Sequence, residues 1–89
     1  MAKLRLRTTD LQWRSVEGEV VALDLQGSQY LGVNNSGVDL WAMLAAGTTR
    51  AALVEHLASN NNLAPGVAAE HVEAFLTQLE SQHLIDTIE

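Results

Sequence analysis

The apolar residues of this chain change their spacing once, near residue 34. From Leu11 to Val33 they alternate with polar residues, which is typical of β-strands, and from Val38 onward they recur every three or four residues, which is typical of amphipathic helices. Because 89 residues are too few for two independent hydrophobic cores, this order predicts one α+β domain over residues 1–89. We expect three helices to cover one face of a small antiparallel sheet.

The predicted sheet has three strands joined by tight turns. The strands are a first one around Leu11 and Trp13, a second over Glu19–Leu25 and a third over Gln29–Val33. The turns are Val16–Glu19 and Gln26–Ser28, each with a glycine that can supply a positive φ. The period of two places Val21, Leu23 and Leu25 on the buried face of the second strand.

The length of the second turn decides the register of the hairpin. With the three-residue turn Gln26–Ser28, Leu23 pairs with Leu31 and Val21 pairs with Val33. This pairing places the side chains of Leu31 and Val33 on the buried face and that of Tyr30 on the other. A two-residue turn would reverse these faces.

The helical part of the chain divides at two loops. The first helix begins near Val38, after the candidate caps Asn34–Ser36, and ends at Gly47. The second is capped by Thr48 or Thr49 and is followed by the loop Asn60–Asn62. The third begins at Pro65 and runs to about His83. The residues Leu84–Asp86 are predicted to form a short terminal strand. The inward stripe of the second helix is Leu53, Val54, Leu57 and Ala58.

The third helix carries two stripes of non-charged side chains. The core stripe consists of Ala68, Val72, Phe75, Leu76 and Leu79. The second stripe lies about 110° away around the helix and consists of Val67, His71, Ala74 and Gln78. Two interpretations are open: this stripe is a boundary next to the core, or it is one wall of a groove.

Composition argues against nucleic acid and membrane partners. Five Lys and Arg oppose eleven Asp and Glu, which gives a net charge of −6, whereas proteins that bind nucleic acid gain much of their affinity by neutralising phosphates. No apolar run approaches the ~18 residues that would span a bilayer. The charged N-terminus lacks the apolar stretch of a secretory signal. We therefore expect a cytoplasmic protein.

Reactive groups are too few or too scattered for catalysis. The chain has no cysteine, which excludes thiolate chemistry, and His56, His71 and His83 lack the i, i+4 spacing of metal-binding helices. No glycine-rich phosphate loop is present. These observations predict a non-catalytic binding module with no catalytic residue, no metal and no cofactor.

The third strand offers one mode of binding. It lies at an edge of the predicted sheet, and the residues from Ser28 to Ser36 carry no charge that would discourage a further strand. An extended peptide could pair with this edge through main-chain hydrogen bonds. The alternative is an edge that is merely protected from aggregation.

Several residues together resemble the PqqD-like family. They are Val21–Leu25, Gly27, Tyr30–Asn34, Gly37, Leu40, Trp41 and Gln82–Asp86. The resemblance implies a precursor-peptide recognition element of ribosomally made, modified peptides. It also implies a winged-helix-like fold of three strands followed by three helices. In such domains the leader segment of the precursor adds as an antiparallel strand to the third strand, against the third helix.

Carried over to this chain, the resemblance gives a peptide site with two sides. The strand side is Tyr30, Leu31, Gly32 and Val33. The helix side is Val67, His71, Ala74, Phe75 and Gln78. Glu70 lies beside the helix stripe, where its carboxylate would attract basic residues of a leader.

The resemblance also implies partners. The chain is most similar to the stand-alone leader-binding half of a split lasso-peptide B protein, whose partners are a transglutaminase-like cysteine peptidase and an ATP-dependent cyclase. The alternative within the family is the peptide chaperone of pyrroloquinoline quinone biosynthesis. A winged-helix DNA-binding protein is a further alternative, which the net charge and the acidic third helix disfavour.

The basic residues are concentrated at the N-terminus. Lys3, Arg5, Arg7 and Arg14 are four of the five in the chain. We expect residues 1–8 to form a basic arm that lies across the acidic body or contacts a partner enzyme. Removal of residues 1–7 would then spare leader binding and reduce processing.

Overall fold

The order of the elements follows the change of apolar spacing, with one extra strand at each end. The computed structural model describes residues 3–33 and 36–88, with the backbone alone described at Ser36 and Ile88. The elements are β1 Lys3–Leu6, β2 Leu11–Val16, β3 Glu19–Asp24, β4 Gln29–Val33, α1 Ser36–Ala46, α2 Arg50–Asn61, α3 Pro65–Ser81 and β5 Ile85–Ile88. The three-stranded antiparallel sheet β2–β3–β4, followed by three helices, confirms the predicted α+β class.

The register of the β3–β4 hairpin differs by one residue from the prediction. Leu23 pairs with Tyr30 and Asp24 pairs with Gln29, so the loop has four residues, 25–28, instead of three. Asp24 explains the longer loop, because its carboxylate turns inward and its Oδ1 accepts a hydrogen bond from the backbone N–H of Gln26 at 3.1 Å. The predicted pairs Leu23–Leu31 and Val21–Val33 are therefore wrong.

The shift in register changes the buried face of β3 and not that of β4. Val20 and Ala22 are buried, whereas Val21 is 42% exposed, so the predicted inward set on this strand is wrong. On β4, Val33 is buried and Tyr30 is 78% exposed, as the prediction requires. The side chains of β4 that share the inward face are therefore those at alternate positions from Gln29 to Val33.

The N-terminal segment is a strand and not an arm in its described part, residues 3–8. Leu4 pairs with Thr87 and Leu6 with Ile85, so β1 and β5 form a second, two-stranded sheet. Both leucine side chains are buried in the core. Leu4 also exchanges two backbone hydrogen bonds with Thr48, of 2.6 and 2.8 Å. The alternation of charged and apolar residues in β1 is the pattern of a half-buried strand. The prediction of a basic arm missed this pattern. The predicted terminal strand is confirmed as β5.

The helix ends agree with the predicted caps at α2 and α3. The side chain of Thr49 accepts a hydrogen bond from the backbone N–H of Ala52, and Pro65 occupies the first turn of α3. The predicted loop over Asn60–Asn62 is shorter, because α2 continues to Asn61 and Asn62 takes the left-handed conformation that ends it. The predicted caps Asn34 and Asn35 lie outside the described residues, as does the side chain of Ser36.

The core lies between the sheets and the helices, with Trp41 at its centre. This side chain is fully buried, and its ring meets the edge of Trp13 at a centroid distance of 5.9 Å. The core stripe of α3 is buried at Ala68, Val72, Leu76 and Leu79, as predicted, and Phe75 packs at its margin. No helix in the described ranges is both long and apolar enough to cross a membrane.

Replacement of Trp41 by alanine should destabilise the fold strongly. Loss of this buried ring leaves a large cavity, so we expect the free energy of unfolding to fall by about 3–5 kcal/mol, measured by urea denaturation. Tyr30→Ala is the matched control, because that ring is 78% exposed and its removal should change the free energy by less than about 0.5 kcal/mol. Equal denaturation midpoints for the two variants would contradict this core.

Removal of residues 1–7 should abolish cooperative unfolding. The truncation takes Leu4 and Leu6 out of the core, and each buried leucine contributes about 2–5 kcal/mol where a whole domain has only about 5–15. The control is the full chain with Lys3→Ala and Arg5→Ala, which removes two exposed charges of the same strand. If circular dichroism shows that the truncated chain melts like the full chain, residues 1–7 are not part of the core and the prediction of a basic arm would hold.

Candidate functional site

A cleft of about 310 Å³ lies between β4 and α3. Its lining combines one strand, one helix face and a floor of core side chains. The lining residues are Leu31, Gly32, Val33, Gly37, Leu40, Leu57, His71, Ala74, Phe75, Gln78 and Leu79. We call this the β4–α3 cleft.

The strand wall of the β4–α3 cleft is also an edge of the sheet. Within the described residues, β4 has a hydrogen-bonded neighbour on the β3 side only. Its other side therefore presents backbone N–H and C=O groups that no strand satisfies. Leu31 and Val33 direct their side chains toward the helices, so the open edge and the cleft are adjacent.

The helix wall is the second stripe of α3. His71, Ala74 and Gln78 are exposed to solvent and line the cleft, whereas Phe75 reaches from the core to its base. Ala74 lies about one turn from both His71 and Gln78, because positions three and four apart share a helix face. The wall therefore has a small residue at its middle and a polar side chain on either side.

Gly37 explains how α1 can approach this cleft so closely. A Cβ atom at this position would lie 2.8 Å from Cγ1 of Val33 and 3.4 Å from Cε1 of Phe75. Real Cβ atoms do not make contacts as short as the first, so a larger residue would push α1 away from β4. The glycine thus brings the start of α1 against both walls.

The structure brings most of the predicted site residues to one place. Those that line the cleft are Leu31, Gly32, Val33, His71, Ala74, Phe75 and Gln78. Those that do not are Tyr30, Val67 and Glu70. Tyr30 points to the opposite face of the sheet, and Val67 lies a turn before the cleft begins. The sequence reasoning missed Leu40, Leu57 and Leu79 as floor residues, because their helical spacing identifies core positions without showing where the core opens.

A second cavity, of about 350 Å³, lies where the β3–β4 loop approaches the end of α3. None of its lining residues carries an apolar side chain. They are Arg7, Asp24, Gln26, Gly27, Gln29, Ser81, Gln82 and His83. We call this the hairpin-end cavity.

Arg7 and Asp24 form an ion pair at the inner end of the hairpin-end cavity. Their side chains are 11% and 7% exposed, and the Arg7 guanidinium also donates to the carbonyl oxygens of Thr9, Asp10 and His83, at 2.7, 3.1 and 2.8 Å. The hydrogen bond from Arg7 holds the pKa of Asp24 below its ordinary value of 3.8, and backbone N–H groups of the loop act in the same direction against the effect of burial. Sequence reasoning missed this pair, because the two residues are seventeen positions apart.

The other charges near α3 are mostly engaged with one another. Arg50 donates to the carboxylates of Glu73 and Glu80 at 2.9 and 3.1 Å, which leaves Glu70 as the exposed acid nearest the second stripe. His56 on α2 contacts Asp39 on α1 at 3.4 Å. In the described ranges, no three His, Asp or Glu side chains lie close enough together to hold a metal ion.

Acid should weaken the fold through Asp24. Because folding lowers the pKa of this carboxyl, its contribution to stability is complete above pH 3.8 and is lost as the pH falls through the lower pKa of the folded state. Asp24→Asn should therefore lower the melting temperature at pH 7 and flatten the fall of the melting temperature as the pH drops below 3.8. Asp10→Asn, at an exposed loop position, is the control. If the melting temperature of Asp24→Asn falls with acid as steeply as that of the parent chain, the proposed role of this pair would be contradicted.

Comparison with known proteins places the chain in a family. No curated protein sequence matches it. Its fold is similar to that of a solved structure described as TbiB1 in complex with the TbiA(beta) leader peptide, with a TM-score of 0.85, 21% sequence identity and coverage of 92% of this chain and 94% of the other. The sequence pattern of coenzyme PQQ synthesis protein D (PqqD) matches residues 19–85, from the start of β3 to the start of β5. This match covers most of the chain, which therefore belongs to the PqqD family.

Proposed function

We propose that this protein recognises, without catalysis, the leader segment of a ribosomally made precursor peptide. The leader would add to β4 as an antiparallel strand and place its side chains in the β4–α3 cleft. The single observation that carries this proposal is the coincidence of an open strand edge with a cleft along the same strand.

Strand addition suits the chemistry of this edge. An extended peptide gains main-chain hydrogen bonds from an open edge whatever its sequence, and it gains selectivity from pockets that accept alternate side chains. The side chains of Leu31 and Val33 lie on the inward face of β4, so alternate residues of an added strand would face the same cleft. The other residues of the peptide would lie beside Tyr30, on the outer face.

The walls of the β4–α3 cleft favour an apolar anchor with room for one polar group. Phe75 and the leucines of the floor offer apolar contacts, and the small side chain of Ala74 leaves space between His71 and Gln78. Glu70 and Val67 lie outside the cleft and would act on residues of the leader that extend past it. Tyr30 would contact the peptide across the outer face.

The comparisons support the same function. The PqqD family is named for a protein of coenzyme PQQ synthesis, and the solved relative is described in a complex with a leader peptide. Under this proposal the whole chain is one leader-binding unit that acts in the cytoplasm and needs no cofactor. It would deliver the bound precursor to a transglutaminase-like cysteine peptidase and an ATP-dependent lasso cyclase.

A second candidate is the peptide chaperone of pyrroloquinoline quinone biosynthesis, which the family match favours. This chaperone would bind its peptide in the same cleft, and the two candidates differ in the enzymes to which the peptide is delivered. The neighbouring genes separate the two: a peptidase and a cyclase gene beside a short precursor gene support the lasso assignment. Binding to DNA is disfavoured by the net charge of −6.

Replacement of Ala74 by glutamate should weaken peptide binding without unfolding the protein. The probe is a peptide selected on the full chain from a display library of random peptides of about 15 residues, which is long enough to cover β4 and extend past both of its ends. Glutamate fills the gap in the helix wall and adds an unpaired charge to the cleft. We expect a loss of affinity of at least tenfold, or about 1.4 kcal/mol, measured by isothermal titration calorimetry.

The matched control is Ala42→Glu, at an exposed position of α1 that does not line the cleft. It introduces the same charge and should leave affinity unchanged. Melting curves verify that both variants fold. Failure of the library to yield any saturable binder, or equal affinity of the two variants for a selected peptide, would refute the proposed site.

A further inference from the structure

We propose that the hairpin-end cavity is a second subsite for the same peptide, and that it accepts an uncharged polar or glycine-containing segment. This segment lies C-terminal to the part of the peptide that pairs with β4. The inference rests on the proposed function and adds to it a position and a chemical preference.

The hairpin-end cavity continues the β4–α3 cleft along the same two elements. Gln29 lines the cavity and Leu31 lines the cleft, which places them about 7 Å apart on one face of the strand. On α3, Gln78 lines the cleft and Ser81 lines the cavity, about 4.5 Å further along the helix axis. The hydroxyl of Ser81 donates to the carbonyl of Gln78 at 2.8 Å. The two spaces are therefore consecutive parts of one groove.

The direction of the chain determines which part of the peptide reaches the hairpin-end cavity. β4 begins at the cavity, with Gln29, and ends at the cleft, with Val33. A strand added antiparallel to β4 runs the opposite way, from the cleft to the cavity. The residues that pass the cavity therefore follow the apolar anchors by about two to four positions, since each residue of the added strand opposes one residue of β4.

The lining of the cavity favours uncharged polar groups over charged ones. Its two charged side chains, Arg7 and Asp24, are mostly buried and paired with each other, and Arg7 donates three further hydrogen bonds to carbonyl groups. The side chains of Gln29 and Gln82 make no hydrogen bond within the described residues and can each donate and accept. Such a lining satisfies the backbone of a turning segment, or the side chains of Ser, Thr, Asn and Gln. Because its two charges are already paired with each other, the lining favours neither an acidic nor a basic side chain.

The experiment reads position and chemistry from selected peptides. The library of random peptides is selected on the full chain and on Gln29→Lys, and the enriched sequences are aligned on their apolar anchor. On the parent chain we expect Gly, Ser, Thr, Asn or Gln to be enriched about two to four residues after the anchor. On Gln29→Lys we expect the ratio of acidic to basic residues at those positions to rise about two- to fivefold, the range for an exposed ion pair.

Gln12→Lys is the matched control. It adds the same charge to β2, at the opposite edge of the sheet, and should leave the preference unchanged. Gln26→Lys, in the loop that lines the same cavity, replaces Gln29→Lys if that variant does not fold by its melting curve.

The outcomes separate the inference from the proposed function. Peptides that share an apolar anchor but show no downstream preference, or whose preference is the same on Gln29→Lys and Gln12→Lys, would overturn the second subsite and leave the proposed function intact. A preference on the N-terminal side of the anchor would overturn the antiparallel direction of the proposed function, and with it the position of the second subsite. A selection without any shared anchor would refute the proposed function, and the inference with it.

Discussion

The groove along β4 depends on Arg7. Its guanidinium contacts Asp24 at the end of β3 and the carbonyl of His83 in the turn after α3, and its own backbone N–H donates to the carbonyl of Leu84. This mostly buried side chain thereby connects the segment after β1, the loop end of the β3–β4 hairpin and the end of α3. Because β4 follows Asp24 after four loop residues, these contacts set the distance between β4 and the end of α3.

The gap between β4 and α3 is otherwise maintained by two small residues and two separate helix faces. α3 uses one face, with Val72, Leu76 and Leu79, to fill the core, so its second face cannot also close onto β4. Gly37 allows α1 to approach the gap from one end, and Ala74 keeps its middle open. The result is a stable domain with one incomplete sheet edge, which is the arrangement that strand addition needs.

The sequence predicts the parts of this fold that depend on local pattern. The order of strands and helices, the inward side chains of Leu31 and Val33, and the two stripes of α3 all follow from periodicity. The register of the β3–β4 hairpin does not follow from periodicity. The pattern assigns inward positions to apolar residues, whereas the polar residue Asp24 is buried. The strand β1 also escapes prediction, since its partner β5 lies at the other end of the chain.

The same reasoning explains how far the candidate site could be predicted. The open edge and the helix stripe are properties of single elements and can be deduced from the sequence. The hairpin-end cavity is formed by residues from three distant segments, which the ion pair between Arg7 and Asp24 and the hydrogen bonds of Arg7 to His83 and Leu84 bring together. The basic residues near the N-terminus likewise do not share one structural role. Arg7 is half-buried and paired with Asp24, whereas Lys3 and Arg5 are exposed on β1.

Hydrogen exchange of the backbone amides, measured by NMR with and without a peptide selected from the random library, tests strand addition to β4 most directly. The account predicts that alternate amides between Gln29 and Val33 exchange at least about tenfold more slowly in the complex, because those N–H groups gain a main-chain partner. The amides of β2, at the other edge of the sheet, should exchange at their former rates. Unchanged exchange along β4 at saturating peptide, or protection of β2 in its place, would contradict the account.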